Sequence, residues 1–167
     1  MASSFEESIS HKCTRLVRAI EDGDLPVVSD LRALRNACGT NEENVEYVIA
    51  SELPAALFSC CKQLIRDKKL SLVDEAHRVF DICNYAILVT VICQLIANVS
   101  ANRGIFAAYI WACGTEAEGF EDLIEISIMV NRRDSQGAAI AAMFNCVAGS
   151  DIDSHKRYVC SINSMED

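Results

Sequence analysis

An all-α fold, built as a solenoid of stacked helical repeats, is the architecture the sequence predicts, and three observations carry it. Apolar residues recur at helical spacing along most of the 167 residues, and no stretch alternates with period two for long enough to require a sheet. Only 2 prolines and 7 glycines interrupt the chain, which leaves room for long helices. Finally, an asparagine near the end of an apolar stretch is followed three times by a tyrosine: Asn36 by Tyr47, Asn98 by Tyr109 and Asn145 by Tyr158. The intervals are 11, 11 and 13 residues, and the units start 62 and then 47 residues apart. A unit of roughly 40 to 47 residues holding two or three helices cannot bury its apolar face alone, so copies stack.

The elements follow in order. Ser4-Phe5-Glu6-Glu7 is a capping box, and Phe5, Ile9, Cys13, Leu16, Val17 and Ile20 then mark one helical face to about Gly23. Asp24 as N-cap and Pro26 in the first turn open a second helix with Val28, Leu31, Leu34 and Cys38 inward. That helix should stop at Gly39 in the left-handed conformation. Asn41 caps a short helix carrying Val45, Val48 and Ile49, and Pro54 starts another with Leu57, Phe58, Cys61, Leu64 and Ile65 inward. Charged Arg66–Lys69 reads as a break, and Ser71 with Asp74 as a new capping signature. Helical pattern then runs to about Ala101, with a kink or boundary expected near Cys83-Asn84.

A short helix from Arg103 to Trp111, an acidic loop from Gly114 to Gly119, helices over Phe120–Val130 and Ser135–Ala148, and a last short helix over His155–Ile162 complete the walk. Trp111 is expected to be covered by the next repeat. Short, medium and long helices thus succeed one another from Asn41 to Ala101 and again from Arg103 to Ala148. One domain covers residues 1–167: capping helices over 1–30, repeat units over 31–101 and 102–148, and the start of an incomplete repeat over 149–167.

Composition narrows the function. Net charge is −9, which argues against nucleic acid, because tracking phosphates needs clustered Lys and Arg. The short basic runs Arg66-Asp67-Lys68-Lys69 and Arg132-Arg133 read as solvated loops. The most apolar stretch, Tyr85 to Ala97, is 13 residues long, whereas a membrane span needs about 20. No membrane insertion is expected, and the polar amino-terminal residues do not form a secretory signal. Nine scattered cysteines contain no Cys-x-x-Cys pair, so metal is not expected and the thiols read as buried hydrophobes in a reducing compartment, cytosol or nucleus.

The segment from Leu34-Arg35-Asn36-Ala37-Cys38 through Leu53-Pro54-Ala55-Ala56-Leu57 resembles an armadillo repeat junction, in which a third helix ends in Leu-x-Asn and Leu-Pro opens a later second helix. The resemblance implies a right-handed α-solenoid of armadillo/HEAT-like repeats. Within that superfamily Leu34-Arg35-Asn36-Ala37-Cys38 with Asn41 and Asn44, Ile96-Ala97-Asn98 with Asn102, and Ile110-Trp111 with Phe120-Glu121 resemble the amino-terminal half of the ataxin-10 family. The resemblance spans roughly Ser29 to Val159. It implies a non-enzymatic cytoplasmic scaffold that binds other proteins, with roles in cell survival, neurite growth or cell division. Nuclear-import members of the superfamily pair a Trp one turn before each asparagine of the row. Here those positions hold Arg32, Gln94 and Ala141, which departs from a groove for localisation signals.

Asn36, Asn98 and Asn145 are the candidate partner-binding residues, since a side-chain amide both donates to and accepts from a peptide bond. The alternative is that each holds its own inter-helix turn by bonding local backbone. Ser135, after Arg132-Arg133-Asp134, matches a basic-directed phosphorylation site at a helix start, and Asn98-Val99-Ser100 is a chance glycosylation match. The histidines His11, His77 and His155 fall on polar faces, and no glycine-rich elbow or phosphate loop accompanies them. The expected function is therefore a protein-binding scaffold without catalytic residues or cofactor. The competing reading is an all-α enzyme or redox sensor using one of the nine thiols. An unfinished repeat at the carboxy-terminal end, with Val147, Tyr158, Val159 and Ile162 on its face, implies a longer array or a homo-oligomer.

Overall fold

The computed structural model describes residues 3–71, 78–101, 107, 110, 113 and 119–149. The fold is all-α, with seven helices and no strand among the described residues. They are α1 (Ser3–Glu21), α2 (Val28–Cys38), α3 (Glu42–Ala50), α4 (Leu53–Ser71), α5 (Arg78–Ser100), α6 (Gly119–Met129) and α7 (Arg133–Gly149). Expectations for Arg103–Trp111, including Trp111 itself, and for His155–Ile162 lie outside the described residues.

Periodicity fixes the buried faces. Ile9, Cys13, Leu16 and Ile20 of α1 are buried, as are Leu31, Leu34 and Cys38 of α2 and Leu57, Phe58, Cys61, Leu64 and Ile65 of α4. Val45 and Val48 do the same for α3, whose N-cap Asn41 accepts a 3.0 Å hydrogen bond from the Glu43 amide. In α5 the apolar residues run all round: Leu88, Val89, Val91, Ile92, Cys93, Leu95, Ile96 and Val99 are all buried. A helix of that kind must be covered on several sides. It packs against α2 on one flank and most extensively against α7 on the other, with α4 and α6 also in contact.

The packing sorts the helices into two rows. α4 lies between α1 and α6, and α5 lies between α2 and α7, while α3 touches α1, α2, α4 and α5. A single cluster of buried side chains draws from both rows. In the first row α4 and α6 meet through Phe58 and Phe120, both fully buried, with ring centroids 5.2 Å apart and an edge-on angle of 67°. Gly119 lets them approach: a Cβ there would lie 2.7 Å from the Phe58 ring.

Several boundaries differ from the sequence expectation, each for a physical reason. Ser4 is inside α1 rather than its cap, since the helix already includes Ser3. Asp24 and Pro26 precede α2, which starts at Val28 with Val27 as an N-cap that makes no side-chain bond. Gly39 is right-handed (φ −72°, ψ −13°), because Thr40 and Asn41 amides close the helix end onto the Ala37 carbonyl. The charged Arg66–Lys69 run continues α4 instead of breaking it; Arg66 and Asp67 are exposed, so their charges stay solvated on a helical face. α5 passes through Cys83-Asn84 without a break. Arg133 belongs to the first turn of α7 rather than to a loop. No single helix among the described residues is long and apolar enough to cross a membrane.

Candidate functional site

Orphan carbonyls at helix ends build the site. The last four carbonyls of a helix lack partners within it and must find others. Near the end of α2 the Arg35 carbonyl accepts from Gly39 N at 3.1 Å and from Asn98 Nδ2 of α5 at 2.9 Å. Near the end of α5 the Ala97 carbonyl accepts from Ser100 Oγ at 3.1 Å and from Asn145 Nδ2 of α7 at 3.0 Å. Each asparagine therefore reaches the residue just before the asparagine of the preceding helix in the row. The bonds join residues 63 and 48 apart, one more than the 62 and 47 that separate the asparagines themselves. Among the described residues, both side-chain amides donate to the neighbouring helix.

Asn36, on the first rung, differs. Its Oδ1 accepts from Arg35 Nε at 3.1 Å and from Arg35 Nη2 at 2.8 Å. Arg35 Nη1 donates to Gln94 Oε1 at 2.6 Å, tying α2 to α5 one turn before Asn98. Gly39 completes the junction: a Cβ there would stand 3.2 Å from Asn98 Nδ2, tighter than ordinary contact. Close passage of the Asn98 amide, rather than a left-handed backbone, is what calls for glycine.

An open groove of about 440 Å³ follows this row, lined by Asn36 and Asn98 together with Ala97, Ala138 and Ala141. A smaller hollow of about 180 Å³ continues it and shares Arg35 and Gln94, adding Arg32, Thr90 and Arg132. Arg32, Gln94 and Ala141, the three positions one turn before the asparagines, all line this continuous surface. Asn145 stands on the next rung, half-buried and outside the lining. The sequence singled out the asparagines but missed Arg35, because its partners, Asn36 and Gln94, become neighbours only once α2 and α5 pack.

Arg132 pairs with Asp134 at 2.9 Å and holds that carboxyl below the usual carboxylate range through the hydrogen bond. Ser135 has 0% exposure, and its hydroxyl lies 2.6 Å from Thr90 Oγ1. A kinase reaching Ser135 would first have to lift the start of α7 off α5. The exposed counterpart is on the outer face of α7, where Ile140 (66%), Phe144 (70%) and Val147 stand one helical turn apart in a stripe.

The thiols are mostly withdrawn. Cys13, Cys38, Cys60, Cys61, Cys93 and Cys146 are buried and free, while Cys113 is half-buried. Burial pushes Cys38, Cys60, Cys93 and Cys146 up to about 12 and raises Cys13 and Cys61 as well. The thiolate is the nucleophile, so these six react poorly near neutrality. Cys83 and Cys160 lie outside the described side chains. His11 is exposed on α1, and among the described residues no three His, Cys, Asp or Glu side chains are placed to hold a metal ion. Set beside known proteins, the chain matches no protein-family model, no curated protein and no solved structure.

Proposed function

We propose that the chain is a non-enzymatic, cytoplasmic protein-binding scaffold, an armadillo-like solenoid whose α2–α5–α7 row grips an extended segment of a partner. The observation that carries it is the repeated rung: two successive asparagines make the same bond to the same relative carbonyl, although the intervening chain differs by 15 residues between units of 62 and 47. Repetition of a spatial register is the property of a stacked array. The short words shared with the ataxin-10 family extend the proposal to that family's roles in cell survival, neurite growth or cell division.

Asn98→Ala tests the rung. It should lower stability by about 1 kcal/mol, the low end for a lost hydrogen bond, because the Arg35 carbonyl keeps its bond from Gly39. Ala141→Phe, which narrows the groove, should reduce capture of partners from cytosol, and Ser59→Phe on exposed α4 surface should not. An Asn98→Ala protein of parental stability, together with Ala141→Phe capture equal to that of Ser59→Phe, would remove the reading.

The α7 stripe of Ile140, Phe144 and Val147 supports a second element of the proposal. An apolar face of this kind drives association, and we propose that a second copy of the chain meets it. Residues 1–167 should show a rising mass with concentration in sedimentation, and Phe144→Glu should abolish the rise. A strictly monomeric species that binds no hydrophobic dye would refute it.

A further inference from the structure

The groove is rich in donors and short of acceptors. Arginine only donates, with five N–H groups in a planar fork. Three of those of Arg35 are taken by two neutral amide oxygens, Asn36 Oδ1 and Gln94 Oε1. Two consequences follow. The guanidinium is held in place while its charge stays uncompensated, since among the described residues no carboxylate pairs with Arg35 or with exposed Arg32. Both amide oxygens must face Arg35, so the NH₂ groups of Asn36 and Gln94 are turned away from it. The Asn98 amide adds a second N–H beyond the one given to the Arg35 carbonyl. The single carboxylate in the lining, Asp134, is already neutralised by Arg132.

We propose that this groove takes an extended acidic peptide segment, with Arg35 and Arg32 pairing its carboxylates and the amides of Asn36, Gln94 and Asn98 donating to its oxygens. The proposal rests on the groove reading above and adds the chemistry of the occupant. A fixed guanidinium suits a carboxylate, since charge-assisted, bidentate pairs are both stronger and more directional than neutral ones. Where a groove for basic signals would carry Trp, this one carries Arg32, which repels a basic segment. Nucleic acid also offers anionic oxygens, but phosphate tracking requires many cations, and the chain carries a net charge of −9.

The test is selection of random peptides of roughly twelve residues, displayed on phage, against the full chain. Enriched peptides should be strongly acidic and weaken with salt. Arg32→Glu, at an exposed position that makes no bond in the row, should weaken them by about tenfold or more. Neutral or basic peptides blocked by Ala141→Phe but indifferent to Arg32→Glu would overturn the acidic preference and leave the groove standing. Peptides indifferent to Ala141→Phe, or no enrichment at all, would sink both. An oligothymidine that binds more tightly than any selected peptide and is lost in Arg32→Glu would make phosphate the ligand and overturn the proposal.

Discussion

Phe58→Ala is expected to cost about 3–5 kcal/mol of stability, as truncation of a fully buried aromatic does. Phe58 fills the contact between α4 and α6, edge-on to Phe120, and its ring lies against the backbone of Gly119. Removing it deletes the transfer energy of the ring, leaves a cavity, and loses an aromatic pair worth about 0.5–1.5 kcal/mol. The gap cannot close easily, because a helix start on one side and a helix interior on the other hold its walls. The urea midpoint should fall with an unchanged slope, and the thermal midpoint by roughly 10 °C. Enlarging the other side of the contact by Gly119→Val should also destabilise, since the added carbons have no room. A Phe58→Ala protein within about 1 kcal/mol of the parent would mean that α4 and α6 are not locked at this point.

A second large effect is expected in alkali. In the unfolded chain thiols ionise near 9, whereas burial holds Cys38, Cys60, Cys93 and Cys146 at about 12 in the fold. Between those values the unfolded state binds fewer protons than the native state, so stability falls as pH rises. It should be level with respect to these groups below about pH 8 and decline steeply from about pH 9 upward, with the four thiols acting together. Cys93→Ala removes one of them and should make the decline shallower, which separates the thiols from lysines and tyrosines that titrate in the same range. The measurement is the urea midpoint under reducing conditions at a series of pH values. A flat profile to pH 11, or a Cys93→Ala slope equal to the parent's, would contradict the burial assigned to these thiols.

The helices were legible in the sequence where a face is amphipathic, as in α1 with Ile9, Cys13, Leu16 and Ile20. Asn41 was legible as a cap because its bond, to Glu43, is local. The charged Arg66–Lys69 run misled because solvated charges suit a helix face as well as a loop, and only the packing of α4 decides between them. At Gly39 the residue type pointed to a left-handed end, whereas the cause lies on α5, 59 residues away, in the Asn98 side chain. The candidate site shows the same divide. Asn98 and Asn145 stood out as words, but the carbonyls they reach are 63 and 48 residues distant, and no local pattern names them. Ser135 carried a legible basic motif, yet its hydroxyl is closed off by Thr90 from another helix.

The rungs made by Asn98 and Asn145 also bear on how such a chain tolerates changes in length. Both span one helix-to-helix step in space while spanning different lengths of chain. Part of the difference lies in the row itself, where α5 has 23 residues and α7 has 17, and part in the other row, where α4 has 19 and α6 has 11. Insertions between helices should leave the row intact, while a single-residue deletion inside α5 would rotate Asn98 off the Arg35 carbonyl by about 100° of helix turn. What the two bonds share is not a spacing along the chain but a relation in space: an asparagine amide meets the carbonyl one residue before the asparagine of the neighbouring helix.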